Sequence, residues 1–290
     1  MSLQFPTKFW TRSLRTQPCI RLPANISQQL VPMTLDYTEL TEVSGDDVTR
    51  EQVERMARRY YWAGEYCCGR DVLEVACGAG QGVGYIGSLA TSVRASDISE
   101  PLLSVARGHY GDRFVFGQFD ALEMPFEADR FDVVLLFEAL YYLPDVDGFF
   151  DECHRVLRPG GHLLIATANK DLFDFNPSPH SHRYLGVSEL SKELSARGFD
   201  VTVFGDTPVA TVGLRQRVLR PVKAAASRLG LIPNSMRAKK LLKKLAFGAL
   251  IPMPAEIDVD TAPKLPPQAL AADQSDQQHK VIFCAARMAD

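Results

Sequence analysis

Residues 72–84 read VLEVACGAGQGVG, and this stretch decides the fold predicted for the chain. It starts as a buried strand that carries Glu74 and continues into a glycine-rich turn before a helical pattern. Gly78 and Gly80 have no Cβ, so the backbone can adopt unusual angles there and pass close to a ligand. The stretch predicts a strand, a tight turn and a helix, with a ligand at the turn. Taken alone, it also fits a tight connection that binds nothing.

Outward from this stretch, strand-like and helix-like patterns alternate along the chain. Strands are predicted at residues 71–76, 92–96, 113–116, 131–137, 161–167, 199–204 and 280–287. Helices are predicted at residues 49–66, 82–90, 101–109, 146–156 and 187–197. Short β-branched runs that alternate with amphipathic helices are typical of a parallel sheet with helices on both faces. We expect an α/β fold with a doubly wound, Rossmann-like sheet of seven strands and a helical insertion before the last one.

The composition excludes several classes of protein. With 46% hydrophobic and 23% charged residues among 290, the chain has the make-up of a globular protein and not of a disordered one. No run of 18 apolar residues and no secretory signal is evident. The six cysteines are scattered and form no CxxC pair. We therefore expect reduced thiols in a cytoplasmic protein and no metal site.

Two further acids follow the second and third predicted strands. Asp97 comes nineteen residues after Gly78, and Asp120 stands in FGQFDALEMPF. An acid at the first position can accept both hydroxyls of a ribose, and Asp120 can take a hydrogen of an adenine amino group. Both fall at the carboxyl ends of parallel strands, where folds of this class bind ligands. The alternative is that these acids are unrelated surface residues.

Together, five motifs resemble the class I S-adenosylmethionine-dependent methyltransferases. They are EVACGAG at 74–80, ASDIS at 95–99, DALEMPF at 120–126, FDVVLLFEAL at 131–140 and LRPGG at 157–161, the last being a turn before the fifth strand. The resemblance covers about residues 59–198 and the terminal strand, and it implies S-adenosylmethionine as the cofactor. It places the methionine end of the cofactor at Glu74 and the glycines, the ribose at Asp97, the adenine at Asp120 and the sulfonium near Phe137. The cofactor-binding residues it implies are Glu74, Ala76, Gly78, Gly80, Asp97, Ile98, Asp120, Ala121 and Phe137.

Two positions depart from the family pattern. Ala76 stands where the first glycine of the loop is usual, a small change that still allows binding. Tyr142 stands where many relatives carry a histidine, and a free tyrosine is a weak base at neutral pH. A nicotinamide dehydrogenase is the rival, because Gly82, Gly84 and Gly87 match the dinucleotide pattern. That pattern starts several residues too late after the strand, so we do not favour it.

Methyl transfer to a hydroxyl requires alignment of the reacting atoms and removal of a proton. The candidates for this chemistry are His182, Glu138 and Tyr142. His182 has the most suitable ordinary pKa for a base, although it also fits a plain loop histidine. Glu138 fits a role in orienting the cofactor pocket as well as it fits chemistry.

A basic segment separates the last two predicted strands. Residues 207–255 contain no Asp or Glu and ten Lys or Arg, and residues 1–35 also lack acids. Basic blocks on an acidic body favour an anionic partner. The pattern at 235–248 predicts a basic amphipathic helix that can lie on an anionic membrane or cover an anionic acceptor, unless it is an ordinary surface helix. Without interleaved aromatics or a known motif, nucleic acid is not the favoured partner.

These observations divide the chain into four parts. Residues 1–48 form an N-terminal arm, 49–206 the methyltransferase core, 207–278 the basic helical insertion and 279–290 the terminal strand. The resemblance extends to bacterial methyltransferases of polysaccharide biosynthesis. It implies O-methylation of a sugar hydroxyl of a glycan or glycan precursor, in the cytoplasm or peripherally on the inner face of the membrane. The alternatives are methylation of a free small metabolite at O, N or C, a cofactor-binding protein without transferase activity, and methylation of protein or nucleic acid.

Overall fold

A computed structural model describes residues 41–178, 180–209 and 249–290 of the chain. Its strands are β1 (Asp47–Thr49), β2 (Asp71–Val75), β3 (Ser92–Asp97), β4 (Val115–Gln118), β5 (Phe131–Phe137), β6 (Leu157–Ala168), β7 (Phe199–Pro208), β8 (Leu250–Pro252), β9 (Gln268–Leu270) and β10 (His279–Met288). Its α-helices are α1 (Arg50–Cys67), α2 (Val83–Gly87), α3 (Glu100–Tyr110), α4 (Val146–Val156) and α5 (Val187–Ser195). None of these helices is long and apolar enough to cross a membrane.

The central sheet confirms the predicted doubly wound architecture. Its strand order is β4-β3-β2-β5-β6-β10-β7-β9. Strands β2 to β6 pair in parallel, and β10 lies antiparallel between β6 and β7. The carboxyl ends of β2 to β7 therefore meet at one edge of the sheet, which is where such folds bind ligands.

Helices cover both faces of the sheet because each presents an apolar stripe to it. Helices α1, α2 and α3 contribute Met56, Ile86 and Leu103 to the core on one face. Helices α4 and α5 contribute Phe149 and Leu190 to the core on the other face. These five side chains are at most 5% exposed, so both faces of the sheet are sealed.

Three expectations, two about the sheet and one about the insertion, need correction. An eighth strand, β9, pairs with β7 at the edge of the predicted seven-stranded sheet. The LRPGG motif does not precede the fifth core strand as a separate turn. It belongs to β6, which pairs with β5 through a register shift. The described parts of the predicted helical insertion are residues 207–209, at the end of β7, and residues 249–278, which contain β8 and β9 and no helix. The basic helix predicted at 235–248 lies outside the described residues.

Helix α1 is fixed to the sheet by a buried ion pair. The Arg58 guanidinium donates from Nε and Nη2 to the Asp206 carboxylate at 3.1–3.2 Å, and from Nη2 to the Thr207 hydroxyl at 2.7 Å. Both charged side chains are under 10% exposed. A buried pair of this kind fixes the position of α1 relative to β7, because separating the two charges would leave a buried charge without a partner. The opposite side of α1 is thereby set over the carboxyl edge of the sheet.

Candidate functional site

A cavity of about 370 Å³ opens at the carboxyl edge of β2, β3, β4 and β5. This volume falls in the ordinary range for small-molecule sites. The predicted site residues that line it are Ala76, Gly78, Asp97, Ile98, Asp120, Ala121, Phe137, Glu138 and Tyr142. The predicted residues Glu74, Gly80 and His182 are not in its lining. Residues far apart in sequence thus meet at one cavity, as the motif positions predict.

The turn after β2 is shaped by left-handed backbone angles. Ala76, Gly78 and Gly80 have φ values of 54°, 59° and 78°. A Cβ on Gly82 would lie 2.0 Å from the Tyr60 ring, so only glycine lets α1 approach this closely. Ala76 and Gly78 of this turn therefore line the cavity, while Tyr60 packs directly on the turn at Gly82.

Asp97 is anchored in the orientation that a ribose-binding acid needs. Its Oδ2 accepts the Gly78 N–H at 2.8 Å, and its Oδ1 accepts the Ser99 N–H at 2.8 Å. Burial raises the pKa of Asp97 above the ordinary value, and these N–H groups oppose that rise. Each carboxylate oxygen retains a lone pair for a ligand hydroxyl.

Next to Asp97 the cavity wall changes to apolar surface. Ile98 follows Asp97, lines the cavity and is 48% exposed. Ala121 lines the same part of the cavity, and Asp120 turns one oxygen to the Leu122 N–H at 2.9 Å. A flat ring with a polar edge, such as a purine, would cover the apolar surface and reach Asp120.

Glu74 lies behind the cavity, under Tyr60. The Tyr60 hydroxyl donates to Glu74 Oε1 at 2.5 Å, and Oε2 is buried without a partner among the described residues. Burial raises the pKa of Glu74 to about 7, and burial together with the Glu74 charge raises that of Tyr60. A buried carboxylate with an unused oxygen favours positive charge nearby, which fits a cationic ligand in the cavity.

At the other end of the cavity, Glu138 follows β5 in a left-handed conformation, with φ of 54°. Its backbone N–H donates to the Ala166 carbonyl at 2.7 Å, and its Oε2 accepts the Tyr141 hydroxyl at 3.1 Å. The Arg59 guanidinium lies 4.0 Å from its Oε1. Two contacts and a constrained backbone thus hold this carboxylate at the cavity.

The other two catalytic candidates differ in position, since Tyr142 lines the cavity and His182 does not. The Tyr142 hydroxyl lies 3.4 Å from Ser178 Oγ, and burial raises the pKa of Tyr142, which makes it a still weaker base. His182 donates its backbone N–H to the Tyr141 carbonyl at 2.8 Å, but its side chain is exposed. Its backbone therefore adjoins the site while its imidazole remains outside the cavity lining.

The predicted site did not include several residues that line the cavity. Arg59 lies on the face of α1 whose periodicity is visible in the sequence, but the sequence does not show that this face meets the cavity. Thr41, Glu42 and Met253 come from segments joined by β1 and β8, which cover the glycine-rich turn. No sequence signal pairs two segments about two hundred residues apart.

A comparison with protein families decides the class of this site. Residues 73–165 match the family described as "Methyltransferase domain". This chain carries a class I S-adenosylmethionine-dependent methyltransferase domain. S-adenosylmethionine is the cofactor of the domain, and the cavity fits it through the anchored Asp97, the apolar surface at Ile98 and the acid behind Tyr60.

Individual relatives of this methyltransferase domain give the same class. A probable S-adenosylmethionine-dependent methyltransferase of Mycolicibacterium smegmatis is 37% identical over 139 residues, 47% of this chain and 54% of the relative. A probable phthiotriol/phenolphthiotriol dimycocerosates methyltransferase of Mycobacterium ulcerans is 39% identical over 158 residues, 52% of this chain and 58% of the relative. The chain thus spans a little over half the length of these two relatives.

A solved structure shows the same fold at low identity. The YcgJ protein of Bacillus subtilis has a TM-score of 0.52 and 16% identity, over 83% of this chain and 99% of that protein. At this identity the likeness concerns the fold alone.

Replacing Ala76 with glycine should stabilise the methyltransferase domain. A left-handed conformation costs an alanine about 1–2 kcal/mol, and the greater freedom of glycine in the unfolded chain offsets part of that cost. We expect the free energy of unfolding in urea to rise by about 0.5–1 kcal/mol. The matched control is Ala95→Gly in the interior of β3, which should lower it. Equal losses in both variants would contradict the assignment of strain to Ala76.

The Glu74 carboxyl should make stability depend on pH. Its pKa in the folded protein, about 7, exceeds the ordinary value of 4.5, so the folded state holds the proton more tightly. The resulting stability is complete below the ordinary pKa and is lost as pH rises to about 7. Glu74→Gln keeps an acceptor for Tyr60 and removes the titration. We expect the difference in free energy of unfolding between this variant and wild type to change by up to about 3 kcal/mol between pH 4.5 and 8. If the pKa of Glu74 is not raised, this difference will not depend on pH.

Proposed function

We propose that this chain transfers a methyl group from S-adenosylmethionine to a hydroxyl group of a small-molecule or lipid-linked acceptor. The observation that carries the proposal is the arrangement of one cavity. Asp97 at the end of β3 and Asp120 just after β4 line the part of the cavity for the cofactor, and Glu138 provides a carboxylate just after β5. A site that holds a methyl donor and a proton acceptor in one cavity has what O-methylation needs.

S-adenosylmethionine supplies an already activated methyl group when bound. Asp97 and Asp120 would hold the adenosine end of the cofactor, and Glu138 would lie beside the acceptor hydroxyl. The acceptor oxygen would take the methyl group while the cofactor sulfur keeps the electron pair of its bond to that carbon. The hydroxyl proton then needs a base within hydrogen-bond reach. The protein's part is to align the three atoms, exclude water and take the proton.

Glu138 is the base that we favour. It lines the cavity, its backbone is held in place, and the Tyr141 hydroxyl fixes one carboxylate oxygen. Burial, followed by the Glu138 charge, raises the pKa of Tyr141, so this tyrosine stays a neutral donor. His182 is the second candidate, because its backbone N–H donates to the carbonyl of Tyr141, which lines the cavity.

Sugar hydroxyls of a glycan or glycan precursor are the acceptors that the sequence resemblance favours. Because residues 207–255 carry ten Lys or Arg and no acid, we further propose that the acceptor is anionic or lipid-linked. The same cations favour peripheral contact with an anionic membrane. The second candidate is a free small metabolite methylated at O, N or C. The Mycobacterium ulcerans relative, which is named for phthiotriol and phenolphthiotriol dimycocerosates, supports a lipid-like acceptor.

Substitution of the candidate bases should separate their roles. Glu138→Gln keeps the acceptor oxygen for Tyr141 and removes the base, so we expect turnover to fall by roughly 10²- to 10⁴-fold. The measurement is transfer of labelled methyl at saturating cofactor and acceptor, with cofactor affinity measured in parallel. His182→Ala is the matched variant, and full turnover in it would remove His182 from the reaction. If Glu138→Gln retains full turnover while His182→Ala does not, His182 is the base.

Labelled cofactor tests the acceptor class. The purified protein is incubated with methyl-labelled S-adenosylmethionine and a lysate of the source organism, which is then divided into lipid, polysaccharide, small-molecule, protein and nucleic-acid fractions. Label in the lipid or polysaccharide fraction supports the glycan proposal, and label among small molecules supports the metabolite. Label in protein or nucleic acid contradicts both. Intact cofactor binding without label in any fraction favours a binding protein without transferase activity.

A further inference from the structure

The Tyr110 hydroxyl bridges the glycine-rich turn from outside the cavity. It donates to the Gly80 carbonyl at 2.8 Å and accepts the Gly84 N–H at 3.1 Å. Tyr110 is the last residue of α3 and does not line the cavity. The proposed chemistry therefore assigns it no task, although this one side chain joins the end of the turn to the start of α2.

The start of α2 needs a hydrogen-bond partner from elsewhere in the chain. The residue before a helix commonly accepts one of the first free N–H groups with its side chain. Here that residue is Gly82, which has no side chain, and a Cβ on it would lie 2.0 Å from the Tyr60 ring. Among the described residues, the Tyr110 hydroxyl is the partner of the Gly84 N–H. Tyr110 thus supplies from α3 a hydrogen bond that the packing of Tyr60 excludes at Gly82.

The packing around Tyr110 fixes the position of its hydroxyl. The residue is 2% exposed and its ring stacks on Phe116, with the ring centres 5.7 Å apart. The Arg113 guanidinium lies 5.2 Å from the centre of the Tyr110 ring. His109 and Arg113 in turn contact the carboxylate of Glu256, in the segment that follows β8. A hydroxyl on a ring held in this way keeps the two backbone groups that it bonds in place.

The turn that Tyr110 bridges has a backbone conformation that needs support. Ala76, Gly78 and Gly80 all have left-handed backbone angles, which are strained for the alanine. Asp97 holds this run at Gly78, and Tyr110 holds its end at Gly80. A strained conformation persists only where the surrounding contacts impose it. Loss of the hydroxyl would release the second of these two anchors.

We infer that Tyr110 is a positioning residue for the amino-acid end of the cofactor. The inference rests on the proposed function, in which the ribose lies at Asp97 and the amino-acid end passes the turn. Tyr110 acts through the turn, because it holds the segment that brings Ala76 and Gly78 to the cavity. The adenosine end instead meets Asp97 and Asp120, to which Tyr110 makes no described hydrogen bond. Removal of the hydroxyl should therefore affect the two ends of the cofactor unequally.

Two ligands that share the adenosine end test this inference. S-adenosylhomocysteine has the amino-acid end, and 5′-methylthioadenosine lacks it. Titration calorimetry measures the binding of each ligand to wild type and to Tyr110→Phe, which removes only the hydroxyl. We expect the affinity for S-adenosylhomocysteine to fall roughly tenfold, because the turn loses two hydrogen bonds, and the affinity for 5′-methylthioadenosine to change less than about threefold.

Tyr85→Phe is the matched control. Tyr85 lies on α2 and is 8% exposed, but its hydroxyl has no hydrogen bond to any residue that the structure describes. This variant loses the same atom without releasing the turn, so the affinities for both ligands should stay within about threefold of wild type. Thermal unfolding checks that each variant keeps the fold.

Amide hydrogen exchange at Gly84 provides a measurement on the unaltered protein. In wild type, S-adenosylhomocysteine should slow exchange of this N–H more than 5′-methylthioadenosine does, because only the first ligand holds the turn from the cavity side. The result does not depend on whether Tyr110→Phe folds. Equal protection by the two ligands would contradict the inference.

Three outcomes of the titrations would overturn the inference. They are equal weakening of both ligands by Tyr110→Phe, no weakening of either, and a loss of affinity in Tyr85→Phe as large as that in Tyr110→Phe. The first outcome would leave Tyr110 with a purely structural role. If wild type binds neither ligand, the proposed function itself loses its cofactor, and the wild-type titration alone reveals this different failure.

Discussion

The chain leaves two adjacent strands, β2 and β5, through residues in left-handed backbone conformations, and the site depends on this constraint. Ala76 follows β2 and Glu138 follows β5, both with φ of 54°. A chain that continued straight from either strand would fill the space above the sheet edge. The sharp departure instead opens a cavity between the two turns and directs the Glu138 side chain toward it. Strain of this kind persists where the surrounding structure imposes it, and it is common at functional sites.

Helix α1 supplies the second half of the site. Its Arg58 side is bound to Asp206 at the end of β7, and its Tyr60 side packs on Gly82 and donates to Glu74. Because a rigid helix joins the two sides, the buried ion pair also positions the aromatic and charged groups of the cavity. The segments joined by β1 and β8 then cover the turn. Gln81 of the turn bonds both segments, since its side chain donates to the Glu42 carbonyl and its backbone carbonyl accepts the Ile257 N–H.

The sequence predicts those parts of the structure that arise from local patterns. The strand at 131–137 and the helix at 146–156 match their predicted bounds, because a continuous apolar run and a clear helical period mark them. Because parallel strands end at a common edge, the sequence predicts that acids at their ends lie together, and Asp97 and Asp120 line one cavity. The family resemblance added the cofactor, and the match of residues 73–165 to the methyltransferase domain confirms that class.

What the sequence could not predict depends on contacts between distant segments. Met253 lines the cavity only because β8 pairs with β1, and neither three-residue strand has a pattern of its own. Arg59 and Arg58 are neighbours in an ordinary amphipathic pattern, yet one faces the cavity and the other a buried aspartate. The ordinary pKa of histidine favours His182 as the base, whereas the structure places its side chain at the surface. Its role therefore stays a prediction.

We propose that the cavity at the ends of β2 to β5 holds the cofactor in one defined direction. A crystal structure of the protein with S-adenosylhomocysteine tests it most directly. We expect the ribose hydroxyls to contact Asp97, the adenine to lie against Ile98 near Asp120, and the amino-acid end to point toward the end of β5. A ligand bound outside this cavity, or bound in it with the amino-acid end at Asp97, would show that the cavity does not hold the cofactor in this direction.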